Sequence, residues 1–167
     1  MLGRGPSALG LVLMLCSCSY EPASVRDLNP DVALFESSVY PVLIRDCAFY
    51  ACHGNAARFF RVYGPGRLRI SDALETYDPV TPAELHDTYE RARSMLQGVR
   101  GIDDSLFLRK PLDSGEGGAG KGHRGTDLWG HDVYRLKTDV AYQALVAWAH
   151  AQPGDPAATA SQATETP

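Results

Sequence analysis

The residues best equipped for chemistry lie together in Cys47-Ala48-Phe49-Tyr50-Ala51-Cys52-His53-Gly54. Two thiols and an imidazole this close admit four uses. Both thiols can form thioethers with the former vinyl groups of a haem, while the His directly after the second Cys turns beneath the ring to ligate the iron. The order Cys, Cys, His follows from that geometry, although haem attachment usually leaves two residues between the cysteines and four intervene here. A Cys47–Cys52 disulfide closing a small loop is the second use. A zinc site needs a fourth ligand and no second Cys pair follows, and a redox dithiol wants Cys-x-x-Cys on a βαβ unit that this pattern does not offer.

Compartment bears on the choice. Arg4 precedes an apolar run from Ala8 to Leu15, well under the roughly 20 residues of a spanning helix, so residues 1–17 read as a cleaved export signal. The junction Leu15-Cys16-Ser17-Cys18 resembles a bacterial lipoprotein signal, which implies that Cys18 becomes the lipidated N-terminus and Ser19 follows it. Cys16 fits less well, because bulky Leu15 would precede the cut. That signal type, with Ser after the Cys, implies a lipid-anchored protein outside the cytoplasm, at the periplasmic face of the outer membrane. Lipid would take up Cys18, leaving Cys47 and Cys52 as the thiols that an oxidising compartment must occupy.

Several elements can position these residues. Residues 18–30 read as a tether. Asn29-Pro30-Asp31 then reads as N-cap, first-turn proline and acid of a helix carrying Val32, Phe35 and Val39 on one face, which Pro41 should kink or end before Val42-Leu43-Ile44 leads into Cys47. Tyr63-Gly64-Pro65-Gly66 marks a turn, and Leu68 and Ile70 alternate with arginines in a segment too short for a sheet. Thr81-Pro82-Ala83-Glu84 is a capping box with Val80 and Leu85 as its hydrophobic staple, starting a helix that Gly98 or Gly101 can end. Seven glycines between Lys110 and Gly130 predict a long loop, and a last helix from about Asp139 to Gln152 carries Ala141, Leu145 and Trp148 on one stripe. Residues 31–152 therefore form one domain, and residues 153–167 read as a disordered tail.

Taken in order, these features resemble a small class I c-type cytochrome domain: the Phe35 helix, Cys52-His53-Gly54, Leu68-Arg69-Ile70, Ser105-Leu106-Phe107, Lys110-Pro111-Leu112, a Gly-rich stretch and the Trp148 helix. The resemblance implies a mainly α fold around one haem c, thioethers from Cys47 and Cys52, His53 as proximal iron ligand, and contact between first and last helices. It also implies an electron carrier, not an enzyme, with a redox partner protein. The distal ligand then comes from the loop before the last helix, where His123 lies, with His131 and Met95 as runners-up. Met95, the one methionine left after the signal, sits beside Ala92, Leu96 and Val99 and suits core packing. His86 and His150 read as surface residues. Arg58, Arg61, Arg67 and Arg69 could hold haem propionates, although solvated arginines explain most of such a set.

Composition narrows the rest. A chain of 167 residues, 44% hydrophobic and 22% charged, suits one compact domain and excludes a low-complexity chain or a multidomain enzyme. A formal net charge of -4 gives nucleic acid no broad reason to bind. The alternative from another class is a haem-free exported binding or structural module stapled by Cys47–Cys52.

Overall fold

In a computed structural model, residues 28–96, 101–119 and 133–151 are described. The described residues are mainly helical and contain no strand, only isolated bridges pairing Tyr63 with Leu68 and Leu112 with Tyr134. The first helix, α1, spans residues 32–47. Its N-cap is Asp31, whose Oδ1 accepts from the Leu34 N–H at 2.7 Å; the predicted cap Asn29 instead accepts from Arg93 at 2.7 Å. Capping needs a side chain adjacent to the first turn, and Pro30 occupies the intervening position.

Pro41 does not end this helix. The turns Phe35–Val39 and Leu43–Cys47 are wide, with the Tyr40 N–H reaching back to the Phe35 carbonyl and the Ala48 N–H to Leu43. A widened turn ahead of a proline moves the preceding carbonyls away from the ring, and Ser37 Oγ donates to the Ala33 carbonyl at 2.8 Å within it. α1 therefore passes through Pro41 and carries Cys47 at its end.

The second helix, α2 (Pro82–Ser94), begins with the expected capping box: the Glu84 N–H donates to Thr81 Oγ1 at 3.2 Å and the Thr81 N–H to Glu84 Oε2 at 3.0 Å. It ends at Ser94 with Met95 as C-cap, ahead of the glycines expected to stop it. A short helix, α3 (Leu106–Arg109), is capped by buried Ser105. The last helix, α4 (Val140–His150), is capped by Asp139, whose Oδ1 accepts from Ala141 and Tyr142, and ends just before the expected Gln152. No helix among the described residues is long and apolar enough to cross a membrane.

One core joins these elements. The rings of Phe35 on α1 and Trp148 on α4 lie 5.2 Å apart, Tyr89 of α2 meets Phe35 edge-on at 5.4 Å, and Phe107 of α3 meets Trp148 at 5.2 Å. Trp148 is wholly buried, and its indole N–H donates to the Asp31 carbonyl at 3.0 Å, which ties α4 to the start of α1. A second tie is ionic. Arg69 meets Glu84 at 2.8 Å with both side chains buried, and Arg69 also donates to the carbonyls of Glu75 and Asp78. Burial raises the Glu84 carboxyl, but hydrogen bonds from Arg69, Thr81 and Ile70 more than reverse this and hold it below the usual range.

Candidate functional site

The end of α1 folds directly into the Cys-His turn. Four main-chain bonds build it: Cys52 N–H and Gly54 N–H donate to Phe49, His53 N–H to Cys47, and Val62 N–H to His53, at 2.8 to 3.0 Å. Gly54 is required by close approach, because a Cβ there would lie 2.1 Å from the Ala48 carbonyl oxygen. The four residues between the cysteines thus form a tight turn, not a slack loop.

Cys47, Cys52 and His53 converge on one cleft with about 560 Å³ of empty space, part of it open to solvent. Its walls are mostly apolar, with Leu43 from α1, Phe60, Phe107 from α3, Leu145 from α4 and Val133. Asp46 and Lys110 are the charged residues on the lining. Both cysteines are free thiols in the structure, Cys47 buried and Cys52 half-buried. Burial pushes the Cys47 thiol up to about 12, with Asp46 and Cys52 adding to the effect and Arg45 opposing it.

His53 is oriented by the chain itself. Its Nδ1 lies 2.9 Å from the Phe60 carbonyl, which can only accept, so Nδ1 carries the proton and donates. Burial lowers the imidazole below its ordinary value; the Phe60 bond opposes this, and Arg58 and Lys110 reinforce it. The ring is therefore held neutral with its lone pair on Nε2, the form in which imidazole ligates a metal.

Met95 also lines the cleft, in addition to packing on the core. Cys18, His123 and His131 lie outside the described residues, but Pro111 and Val133, from the described chain on either side of the glycine-rich segment, both line the cleft. None of the four arginines lines it. Arg69 is bound to Glu84, Arg67 stacks over Phe49 at 4.5 Å, Arg58 donates to the Ala51 carbonyl and Arg61 to that of Arg58. His86 and His150 are exposed as expected, His150 pairing with Asp103 at 2.9 Å. Trp148 packs on Phe35 and Phe107, whereas Leu145 reaches the cleft.

The sequence reading missed Phe60, Asp46 and Lys110. Phe60 had only its aromatic character to mark it, and its decisive atom is a carbonyl that every residue has. Asp46 accepts from the Tyr134 hydroxyl at 2.9 Å and from Arg45 at 2.6 Å, bonds made across 88 residues and one residue respectively. Among the described residues, no group of three or more His, Cys, Asp or Glu side chains could hold a metal ion by itself. Comparison with other proteins adds nothing to the geometry. No known family, curated protein or solved structure matches this chain.

Proposed function

We propose that this chain is an extracytoplasmic electron carrier with one covalently bound haem c, built on a cytochrome c-like domain and anchored by lipid on Cys18. The observation that carries the reading is the convergence of Cys47, Cys52 and a neutral, backbone-oriented His53 on a single apolar cleft. A tetrapyrrole brings its own ring nitrogens to the metal, so one or two protein ligands suffice. When bound, the haem supplies one-electron exchange at its iron.

Each residue has a defined part. Cys47 and Cys52 provide the sulfurs for the two thioether links. His53 provides Nε2 to the iron, and Phe60 fixes the ring's tautomer and angle through Nδ1. Leu43, Phe107 and Leu145 line the cleft and would keep water from a bound haem, which would tune its potential through the local dielectric. Lys110, the one Lys or Arg among the described residues that line the cleft, is better placed for a propionate than any of Arg58, Arg61, Arg67 or Arg69. His123 remains the proposed distal ligand, with Met95 and His131 as competitors.

The contact of Phe35 with Trp148 supports the fold assignment, since it joins first and last helices beside the cleft. Pyridine haemochrome spectra and intact mass, on chain exported from a host that attaches haem c, test the function. A covalent haem increment that disappears in the Cys47→Ala/Cys52→Ala variant is expected. A mature chain without that increment, its two cysteines joined in a disulfide, would establish the stapled module instead. Palmitate labelling that persists in Cys18→Ala would remove the lipid anchor.

A further inference from the structure

The turn that carries Cys52 and His53 also builds an exposed surface that the cofactor reading leaves unused. From Cys47 to Ser71 the chain has four arginines, no lysine and no carboxylate, within a protein of net charge -4. Arg69 is neutralised by Glu84, but no carboxylate among the described residues pairs with Arg58, Arg61 or Arg67. Backbone carbonyls hold these three instead: Ala51 for Arg58, Arg58 for Arg61 and Ile44 for Arg67. Such bonds order a guanidinium without cancelling its charge.

Large aromatic side chains stand among them. Phe49 is 47%, Tyr50 79% and Phe59 73% exposed, three of the chain's thirteen Phe and Tyr residues within eleven positions. Two contacts link them: Arg67 lies over the Phe49 ring, and Arg58 reaches the carbonyl of Ala51, which follows Tyr50 in the chain as Phe59 follows Arg58. Beside Phe49 and Tyr50 runs an open groove with about 1120 Å³ of empty space, lined also by Arg67, Leu74 and, as its one acid, Asp72. Exposed apolar groups in a cluster mark contact surfaces, and Tyr and Arg carry much of the binding energy at protein interfaces.

We propose that this arginine-aromatic face docks a protein partner whose surface presents carboxylates around apolar side chains. Charge complementarity chooses the partner: three ordered, unneutralised guanidinium groups attract carboxylates and can donate their remaining N–H groups to them. That this partner is the redox partner rests on the haem reading, because Cys52 and His53 lie in the same turn; its acidic character does not rest on it. A membrane with anionic headgroups would also meet arginines and aromatics, but the groove beside Phe49 suits side chains of a folded partner more than a flat interface.

The probe is a labelled peptide of glutamates interrupted by leucines, titrated with the full exported chain by fluorescence anisotropy. Binding should weaken about tenfold between low and physiological salt, because exposed charges are screened over about 8 Å there. Arg58→Gln/Arg67→Gln should weaken it by about tenfold at low salt, and Phe59→Ala should weaken it at all salt concentrations. Equal binding by the double variant and the parent chain would overturn the proposal. So would arginine-dependent binding to phosphatidylglycerol vesicles without peptide binding, which would assign the face to a membrane. Haem absorbance is recorded on the same samples: a haem-free chain that binds the peptide through its arginines keeps this surface and ends the haem reading, whereas a haem-loaded chain that fails to bind ends this surface alone.

Discussion

His53 Nδ1 lies 2.9 Å from the carbonyl oxygen of Phe60, and the two rings meet at 4.8 Å, so one residue both orients the imidazole and covers it. The ring lines a cleft whose walls are mainly apolar. Burial sets the protonation state, which gives a first prediction.

Because the folded-state pKa of His53 is lowered from 6.5, mainly by burial, the unfolded chain binds this proton more readily. Its contribution to stability is therefore full above about pH 6.5 and is lost as pH falls through the folded value. For haem-free chain, urea midpoints measured from pH 8 to pH 5 should fall below about pH 6.5. His53→Gln should flatten that part of the profile. An unchanged slope in the variant would mean that another group titrates there.

The two thiols should differ in reactivity. With its pKa pushed up to about 12, mainly by burial, Cys47 is almost wholly in the thiol form at pH 8. Cys52 is half-buried and more accessible. Alkylation of reduced haem-free chain with iodoacetamide should thus mark Cys52 well ahead of Cys47, as mapped by peptide mass, and denaturant should erase the difference. Equal labelling of the native chain would contradict the burial of Cys47 at the end of α1.

Trp148 is the packing centre that joins α4 to the three other helices, with Phe35, Tyr89 and Phe107 all within about 6 Å of its ring. Trp148→Ala should cost about 3–5 kcal/mol in urea unfolding. Trp148→Phe keeps an aromatic ring but leaves the Asp31 carbonyl without its indole donor, at a cost of about 1–2 kcal/mol. If both variants lost the same amount, the cost would lie in the indole hydrogen bond they both lack and ring packing would carry nothing; a Trp148→Phe chain as stable as the parent would mean that the bond carries nothing.

What could be read from sequence was local. Thr81 and Glu84 lie three residues apart, so their reciprocal capping is written in the motif, and the Phe35 and Trp148 stripes declare their buried faces by spacing. The passage of α1 through Pro41 was not legible, because it depends on two wide turns that propensity does not encode. Arg69 resembled its neighbouring arginines, and only folding brings Glu84 to it across 15 residues. The same holds for the cleft: Cys47, Cys52 and His53 were evident from type and order, whereas Lys110, Asp46 and the Phe60 carbonyl became site groups through tertiary placement.

On the proposed haem reading, the identity of the distal ligand is the sharpest remaining test. Helical spacing marked Met95 as a core residue, and it does pack there, yet it also lines the cleft with His53. Against it, Met95 caps the C-terminus of α2 through N–H bonds to Ala92 and Arg93, which fixes its backbone, while the segment holding His123 is flanked by the cleft residues Pro111 and Val133. Bis-His ligation should set a lower potential than His/Met, because Met ligation raises it. Near-infrared magnetic circular dichroism of the oxidised protein reads the pair directly, and the expected spectrum is bis-imidazole, changed by His123→Ala and unaffected by Met95→Leu. A thioether-to-iron band that Met95→Leu abolishes and His123→Ala leaves intact would assign the sixth position to Met95.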